Sequence, residues 1–274
     1  MSTISFPTLA FIGGGNMASA LIGGLVKNGH PVDRLLVVEP YEAQRERLAQ
    51  QFGVRALAAA DAGLARAQMI VWAVKPQAFT EAARPCAPWT AAALQLSVMA
   101  GIRSGAIERA SGSGRIVRSM PNTSALIGRG IAGLYATPPV GADERALVER
   151  VLAPTGQTLW VEREADLDAV TALSGSGPAY VFYFVEAMMA AAAQMGLSPE
   201  QGKRLALATF DGATALAAQS DEPPEVLRER VTSKGGTTYA ALQSMRADAV
   251  GEAIAKAVRA AQRRARELGD EFGG

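Results

Sequence analysis

Residues 8–29 read TLAFIGGGNMASALIGGLVKNG. A short apolar run enters three glycines, and an amphipathic helical pattern over 16–28 leaves them. Gly13, Gly15 and Ala18 fill the spacing G-x-G-x-x-[GA] at that junction. The first glycine permits a tight turn, and the second lets a pyrophosphate approach bare backbone at a helix N-terminus. The small third residue lets helix and strand pack closely. Glycines alone also make ordinary turns, but between a first strand and its helix they mark a dinucleotide site. The candidate cofactor contacts are Gly13, Gly14, Gly15, Asn16, Met17 and Ala18.

The alternation continues outward from this stretch. Short apolar runs at 8–13, 34–39, 68–74, 94–100 and 114–120 read as strands, with helical patterns at 16–28, 41–52 and 103–110 between them. Strands buried on both faces and joined by such crossovers predict a parallel sheet with helices on both sides. A strand at 130–136, a helix near 142–153 and a strand near 157–161 complete it. After Glu164 no strand pattern is evident, and Ala-, Leu- and Met-rich helical patterns cover 165–195, 199–219, 223–231, 238–246 and 248–268. The predicted class is therefore α/β: a Rossmann-like dinucleotide-binding domain over 1–164, followed by an all-α helical domain over 165–274.

Composition narrows the chemistry. Charges nearly balance at +1, unlike the basic footprint of a nucleic-acid binder. The most apolar late stretch, YVFYFVEAMMAAAA, carries Glu186 and is too short to span a bilayer. The start lacks the charged leader and uninterrupted apolar run of a signal peptide, so a cytoplasmic location is expected. One cysteine, Cys86, and one histidine, His30, exclude a Cys/His zinc site within one chain, and no metal is expected. His30, in the turn KNGHP, reads as a solvated loop residue, and Cys86 as a packed small hydrophobe.

Further candidates end other strands, where ligand crevices of such sheets lie. Glu39 closes the second strand, and an acid there bonds the adenine ribose diol and repels a 2′-phosphate. Arg45 and Arg47 on the following helix offer phosphate partners, so NADH and NADPH both stay open. Ala73, Val74, Lys75 and Pro76 form a loop suited to the nicotinamide ribose, with Lys75 also readable as a solvated lysine, and Asn122 is an amide candidate near the nicotinamide.

Several hydride-transfer chemistries are excluded. No tyrosine is followed four places on by lysine, so the short-chain Tyr–Lys acid pair is absent. The asparagines Asn16, Asn28 and Asn122 leave no Lys–Asn pair on a helix of the second domain. A reductase without such acids suits a protonated imine, whose carbon already accepts hydride. The stretches DLDAVTALSGSGPAY (166–180) and VTSKGGTTYAAL (231–242) then become informative. With FIGGGNMASALIGG, AVKPQ and SMPNTSALIGRG they resemble pyrroline-5-carboxylate reductase along essentially the whole chain, in order.

That resemblance implies NAD(P)H-dependent reduction of 1-pyrroline-5-carboxylate to L-proline. It implies that Ser233 and the amides around Gly236 and Thr237 bind the substrate carboxylate. Thr238 is the implied catalytic residue, hydrogen-bonding the ring nitrogen, and Ser176, with Gly175 and Pro178, shapes the pocket in a kinked helix. It also implies a homodimer or homodecamer built through the helical domain. Ser124 and Lys234 stand where the family often has proline, and Glu39 departs from the family's usual NADPH preference. Two other readings stay open: reduction of another cyclic imino acid, and a catalytically idle dinucleotide-binding redox sensor.

Overall fold

The computed structural model describes residues 6–272. Seven strands form one sheet in the order β2-β1-β3-β4-β5-β6-β7. They are β1 (Leu9–Ile12), β2 (Leu35–Val38), β3 (Met69–Trp72), β4 (Leu94–Ser97), β5 (Ile116–Met120), β6 (Gly130–Ala136) and β7 (Gly156–Trp160). The first five run parallel. Crossovers carry α1 (Asn16–Lys27), α2 (Glu42–Phe52), the short α3 (Phe79–Ala83) and α4 (Ala87–Thr90), α5 (Ser104–Ser111) and α6 (Ala142–Leu152). The sheet departs from the all-parallel expectation at β6, which pairs antiparallel with β5, while β7 is parallel to β6. The reason is chain length: residues 121–129 hold only a single 3-10 segment, Thr123–Ile127, too short to carry the chain back to the opposite end of the sheet for a parallel strand beside β5.

Side-chain alternation divides the strands between two cores. Leu9, Phe11, Val37, Met69, Val71, Leu94, Leu96 and Val117 face one, joined by Ala18, Leu21, Ile22 and Leu25 of α1 at helical spacing. Ala10, Ile12, Val38, Ile70, Trp72 and Ile116 face the other, with Phe79 and Ile107. Gln95 is fully buried there, but Trp72 Nε1 donates to its Oε1 at 2.9 Å, and its Nε2 donates to the Thr90 and Ala93 carbonyls. Every strong polar group of that side chain has a partner, so its burial carries little penalty.

The chain divides into two compact units, residues 1–176 with 261–274, and residues 177–260. The expected boundary at 164/165 falls where the sheet ends, whereas this division lies at 176/177. Ion pairs account for the first unit's extension: Arg118 on β5, only 6% exposed, donates from Nη1 to Glu164 Oε1 at 3.0 Å. Glu164 also accepts from the backbone N–H and hydroxyl of Ser104, at 2.6 and 2.7 Å. Arg103 meets Asp168 and Asp270, which ties the start of α7 (Asp166–Val170) and the end of α12 (Val250–Phe272) to the same region. Burial pulls the Glu164 carboxyl upward, but the Ser104 bonds and Arg118 outweigh it and hold it below its ordinary value.

The second unit contains α8 (Gly177–Gln194), α9 (Pro199–Ala218), α10 (Pro224–Arg230), α11 (Thr237–Ala247) and the first turns of α12. Ser198 opens α9 with a capping box, its hydroxyl accepting from Gln201 N at 3.2 Å. Gly202 of α9 lies against Ala192 and Met189 of α8, where a Cβ would come within 3.0 Å of the Ala192 Cβ. Within one chain this unit buries little. Phe182 is 60% exposed, Leu216 61% and Leu205 57%.

His30 corrects the sequence expectation. It is a loop residue but only 7% exposed, packed edge-on against Phe6 at 5.4 Å between ring centroids. Burial pushes its pKa below 6.5 despite the opposing Pro7 carbonyl and Asp33. Cys86 is buried as expected, and its thiol is pushed up to about 11.

Two outcomes are expected. Glu164→Ala leaves the Arg118 guanidinium buried without its counter-ion and costs about 3 kcal/mol in urea unfolding. For His30, the folded pKa lies below the unfolded 6.5, so the unfolded chain binds the proton more readily. Its contribution is therefore complete above that pH and is lost as pH falls below it. Thermal midpoints from pH 7.5 to 5.5 decline accordingly, and His30→Gln flattens that decline.

Candidate active site

All five parallel strands point their C-terminal ends the same way, and β1's neighbours β2 and β3 leave it in opposite directions. A crevice opens at such a reversal. The turn after β1 is built for it. Gly13 has φ +96, and a Cβ on it would lie 2.8 Å from the Ala73 carbonyl oxygen at the end of β3. Only glycine meets both demands. Ala18 is fully buried against the sheet, as the small third position requires.

Gly15 is the N-cap of α1 and has no side-chain cap, while Ser19 N–H is the first to reach back, to the Gly15 carbonyl. The N–H groups of the first turn, at Asn16, Met17 and Ala18, have no partner within the helix and add to its positive end. A Cβ on Gly15 would meet nothing within 4 Å. A bare, open, uncapped helix start is a fit for a pyrophosphate. Gly14 differs from its neighbours: its N–H donates to Glu39 Oε2 at 2.8 Å and its carbonyl accepts from Ser19 Oγ at 3.1 Å. Its backbone holds the turn together.

Glu39, just after β2, is 5% exposed, and its Oε1 accepts from Tyr41 N–H at 2.9 Å. Sequence reasoning missed Gln44 here, and it read Arg45 only as a phosphate partner. Gln44 on α2 donates its side-chain amide to the Gly14 carbonyl and to Ser19 Oγ. Arg45 donates to the carbonyl oxygens of Glu39 and Pro40. Nothing in the spacing singles out Gln44, because its partner lies in another crossover.

Ala73 and Val74 follow β3 beside the glycine turn, and Lys75 is exposed as the N-cap of the 3-10 segment that begins at Pro76. Asn122 follows β5. Its Nδ2 donates to Ser174 Oγ at 3.4 Å, while its Oδ1 is buried with no partner. A buried acceptor without a donor suits a ligand N–H such as that of a carboxamide. Ser174 belongs to a π-helical segment, Thr171–Gly175, sealed by Ser176 N–H bonding the Thr171 carbonyl at 2.8 Å. π-segments of this kind frequently mark functional positions. It lies where the sequence places a kinked helix, and a Cβ on Gly175 would strike Met120 Cε at 2.6 Å.

In the helical unit, Ser233, Gly236, Thr237 and Thr238 share one turn. Gly235 has φ +76, and Gly236 N–H closes the turn on the Ser233 carbonyl at 2.9 Å. Gly236 is then the uncapped N-cap of α11, where Ala240 N–H is the first to reach back. The N–H groups of Thr237, Thr238 and Tyr239 are left for an anion, with the Thr237 and Thr238 side chains exposed beside them. Among the described residues no cluster of His, Cys, Asp and Glu could hold a metal ion.

The two glycines of the first turn separate folding from binding. Gly13→Ala is expected to destabilise by about 1–3 kcal/mol through its strained φ. Gly15→Ala is expected to stay within about 1 kcal/mol of the native chain yet lose most of its NAD(P)H affinity, because its methyl occupies ligand space. Thermal melts beside fluorescence titrations check both.

Comparison with known proteins agrees with this arrangement. Residues 8–101 match a model described as NADP oxidoreductase coenzyme F420-dependent, and residues 164–268 match one for pyrroline-5-carboxylate reductase dimerisation. A pyrroline-5-carboxylate reductase of Pseudomonas aeruginosa is 40% identical over 98% of this chain and 100% of its own. That of Haemophilus influenzae is 37% identical over 95% and 97%. Among solved structures, the Coxiella burnetii reductase superposes with a TM-score of 0.90 at 34% identity, covering 96% of this chain and 99% of that one. The Plasmodium falciparum enzyme, with NADP bound, gives 0.84 at 29%, covering 96% and 98%. The glycine turn, the π-segment and the GGTT turn thus sit in a chain aligned from end to end with these enzymes: it belongs to the pyrroline-5-carboxylate reductase family.

Proposed function

We propose that the chain reduces the C=N bond of 1-pyrroline-5-carboxylate with NAD(P)H, giving L-proline in the final step of proline biosynthesis. The observation that carries this reading is the uncapped N-terminus of α11, with bare glycine backbone at Gly235 and Gly236 and hydroxyls at Ser233, Thr237 and Thr238. A small carboxylate gains about 0.3–1 kcal/mol from such a helix end, besides its hydrogen bonds, and exposed Lys234 adds a positive charge beside it. Reduced nicotinamide, when bound, supplies the hydride.

The remaining roles belong to this chain's residues. Ser233 and the free amides that follow Gly236, at Thr237 and Thr238, hold the carboxylate, which fixes the ring, while the Gly236 N–H keeps the turn closed on the Ser233 carbonyl. Thr238 keeps a hydrogen bond to the ring nitrogen as the iminium carbon receives hydride and the nitrogen becomes a neutral amine. No strong acid is needed, since the proton is already on nitrogen. Gly13, Gly15 and the first turn of α1 cradle the pyrophosphate, with Ala73, Val74, Lys75 and Pro76 along the ribose. Asn122 presents its free acceptor to the carboxamide, and Ser176 lines the pocket.

The division of labour follows the chain: cofactor binding over 1–164, substrate binding and dimerisation over 165–274. The exposed Phe182, Leu205 and Leu216 support burial against a second copy, as a homodimer or a homodecamer. A cytoplasmic location fits this role, and among the described residues no helix is long and apolar enough to cross a membrane.

Turnover of 1-pyrroline-5-carboxylate, followed by nicotinamide absorbance, is the test. Thr238→Ala is expected to lower kcat about tenfold or more, the equivalent of about 1.4 kcal/mol or greater, with the dissociation constant for NAD(P)H unchanged. Equal loss of both would reassign Thr238. Faster turnover of the six-membered imine would change the substrate, and cofactor binding without turnover on any imine would make the chain a sensor.

A further inference from the structure

Glu39 stands where the adenosine half of a dinucleotide binds, at the end of the strand beside β1. Its carboxylate is not a free side chain. Oε2 holds the Gly14 N–H at 2.8 Å and Oε1 holds the Tyr41 N–H at 2.9 Å, and the residue is 5% exposed. To move aside for a 2′-phosphate it would leave two backbone donors unmatched, one of them inside the glycine turn itself. An ordinary acid on a strand end swings into solvent without such a loss.

We propose that this tethered carboxylate makes NADH the preferred cofactor of the chain. The inference rests on the reductase reading only for its turnover measurement. Each carboxylate oxygen has about two lone pairs, so after the backbone bonds both still accept from ribose hydroxyls. A 2′-phosphate has no proton to give and brings about 1.5–2 negative charges toward the acid. The nearby cations do not reverse this. Arg45 commits Nη1 to the Glu39 and Pro40 carbonyl oxygens, and Arg47, further along α2, is solvent-exposed, where its charge is screened. Glu42, in the first turn of α2, and Glu46 add negative charge on the same helix.

The test needs no substrate. The full chain is titrated with NADH and with NADPH by nicotinamide fluorescence, and 5′-AMP is compared with adenosine 2′,5′-bisphosphate as a competitor of bound NADH. NADH is expected to bind at least tenfold more tightly than NADPH, and 5′-AMP to compete better than the bisphosphate. Glu39→Gln, which keeps one carbonyl acceptor and removes the charge, is expected to shrink the NADH/NADPH ratio about tenfold, mostly by tightening NADPH. Equal or tighter binding of NADPH by the native chain overturns the proposal, as does binding of neither cofactor or an unchanged ratio in the variant. The native measurements decide even when Glu39→Gln does not fold. Tenfold NADH preference without turnover of any imine would sink the reductase reading and leave this inference standing.

Discussion

The turn after β1 must bring three pieces of backbone together with no side chain between them. Gly13 lies against the Ala73 carbonyl in a conformation L-residues avoid, Gly14 is held by Glu39 and Gln44, and Gly15 starts a helix that nothing caps. Each condition supports the next. The close approach of β1 and β3 sets where the turn leaves the sheet, and the Glu39 bond fixes the orientation of the Gly14 peptide. The helix start is then left open, its N–H groups facing the crevice. The parallel sheet behind it, filled on both faces, supplies the rigidity such a site needs.

The same physical device recurs in the helical unit. Gly235, like Gly13, has positive φ, and Gly236, like Gly15, is an N-cap without a side-chain cap. Both helix starts lack an acidic residue in the first turn, so their donors and dipoles stay uncompensated. Elsewhere Ser198 and Gln201 close α9 with a capping box, while α2, α5 and α10 also begin without a side-chain cap. A helix that forgoes a cap gives up about 1 kcal/mol, a cost that an anionic ligand offsets on binding.

Much of this organisation was legible in the residues. The strands and most helices follow from apolar runs and helical periodicity, because burial on two faces or one stripe imposes those patterns. The resemblance carried by GGTT and SGSGPAY identified the family over the whole length. The short α3 and α4 were not legible, since each is only four or five residues long and too short to show a helical period. The reversal at β6 was hidden too: strand direction depends on where a connection can reach, and the apolar pattern of GIAGLYA is the same either way. His30 read as solvated because its neighbours are polar in sequence. Phe6, which covers it, lies in another segment.

The sequence by itself determined the fold class, the glycine turn, the family and the positions of the candidate groups, because these depend on local periodicity and spacing. Only the tertiary structure decided what each group is bonded to. It tied Glu39 to Gly14 and Tyr41, set Gln44 beneath the glycine turn, and left Asn122 Oδ1 without a donor beside Ser174. Apart from Tyr41, those partners lie far apart in the chain or depend on a π-turn, and hydrogen bonds of a few ångströms are fixed by packing, which no local pattern encodes.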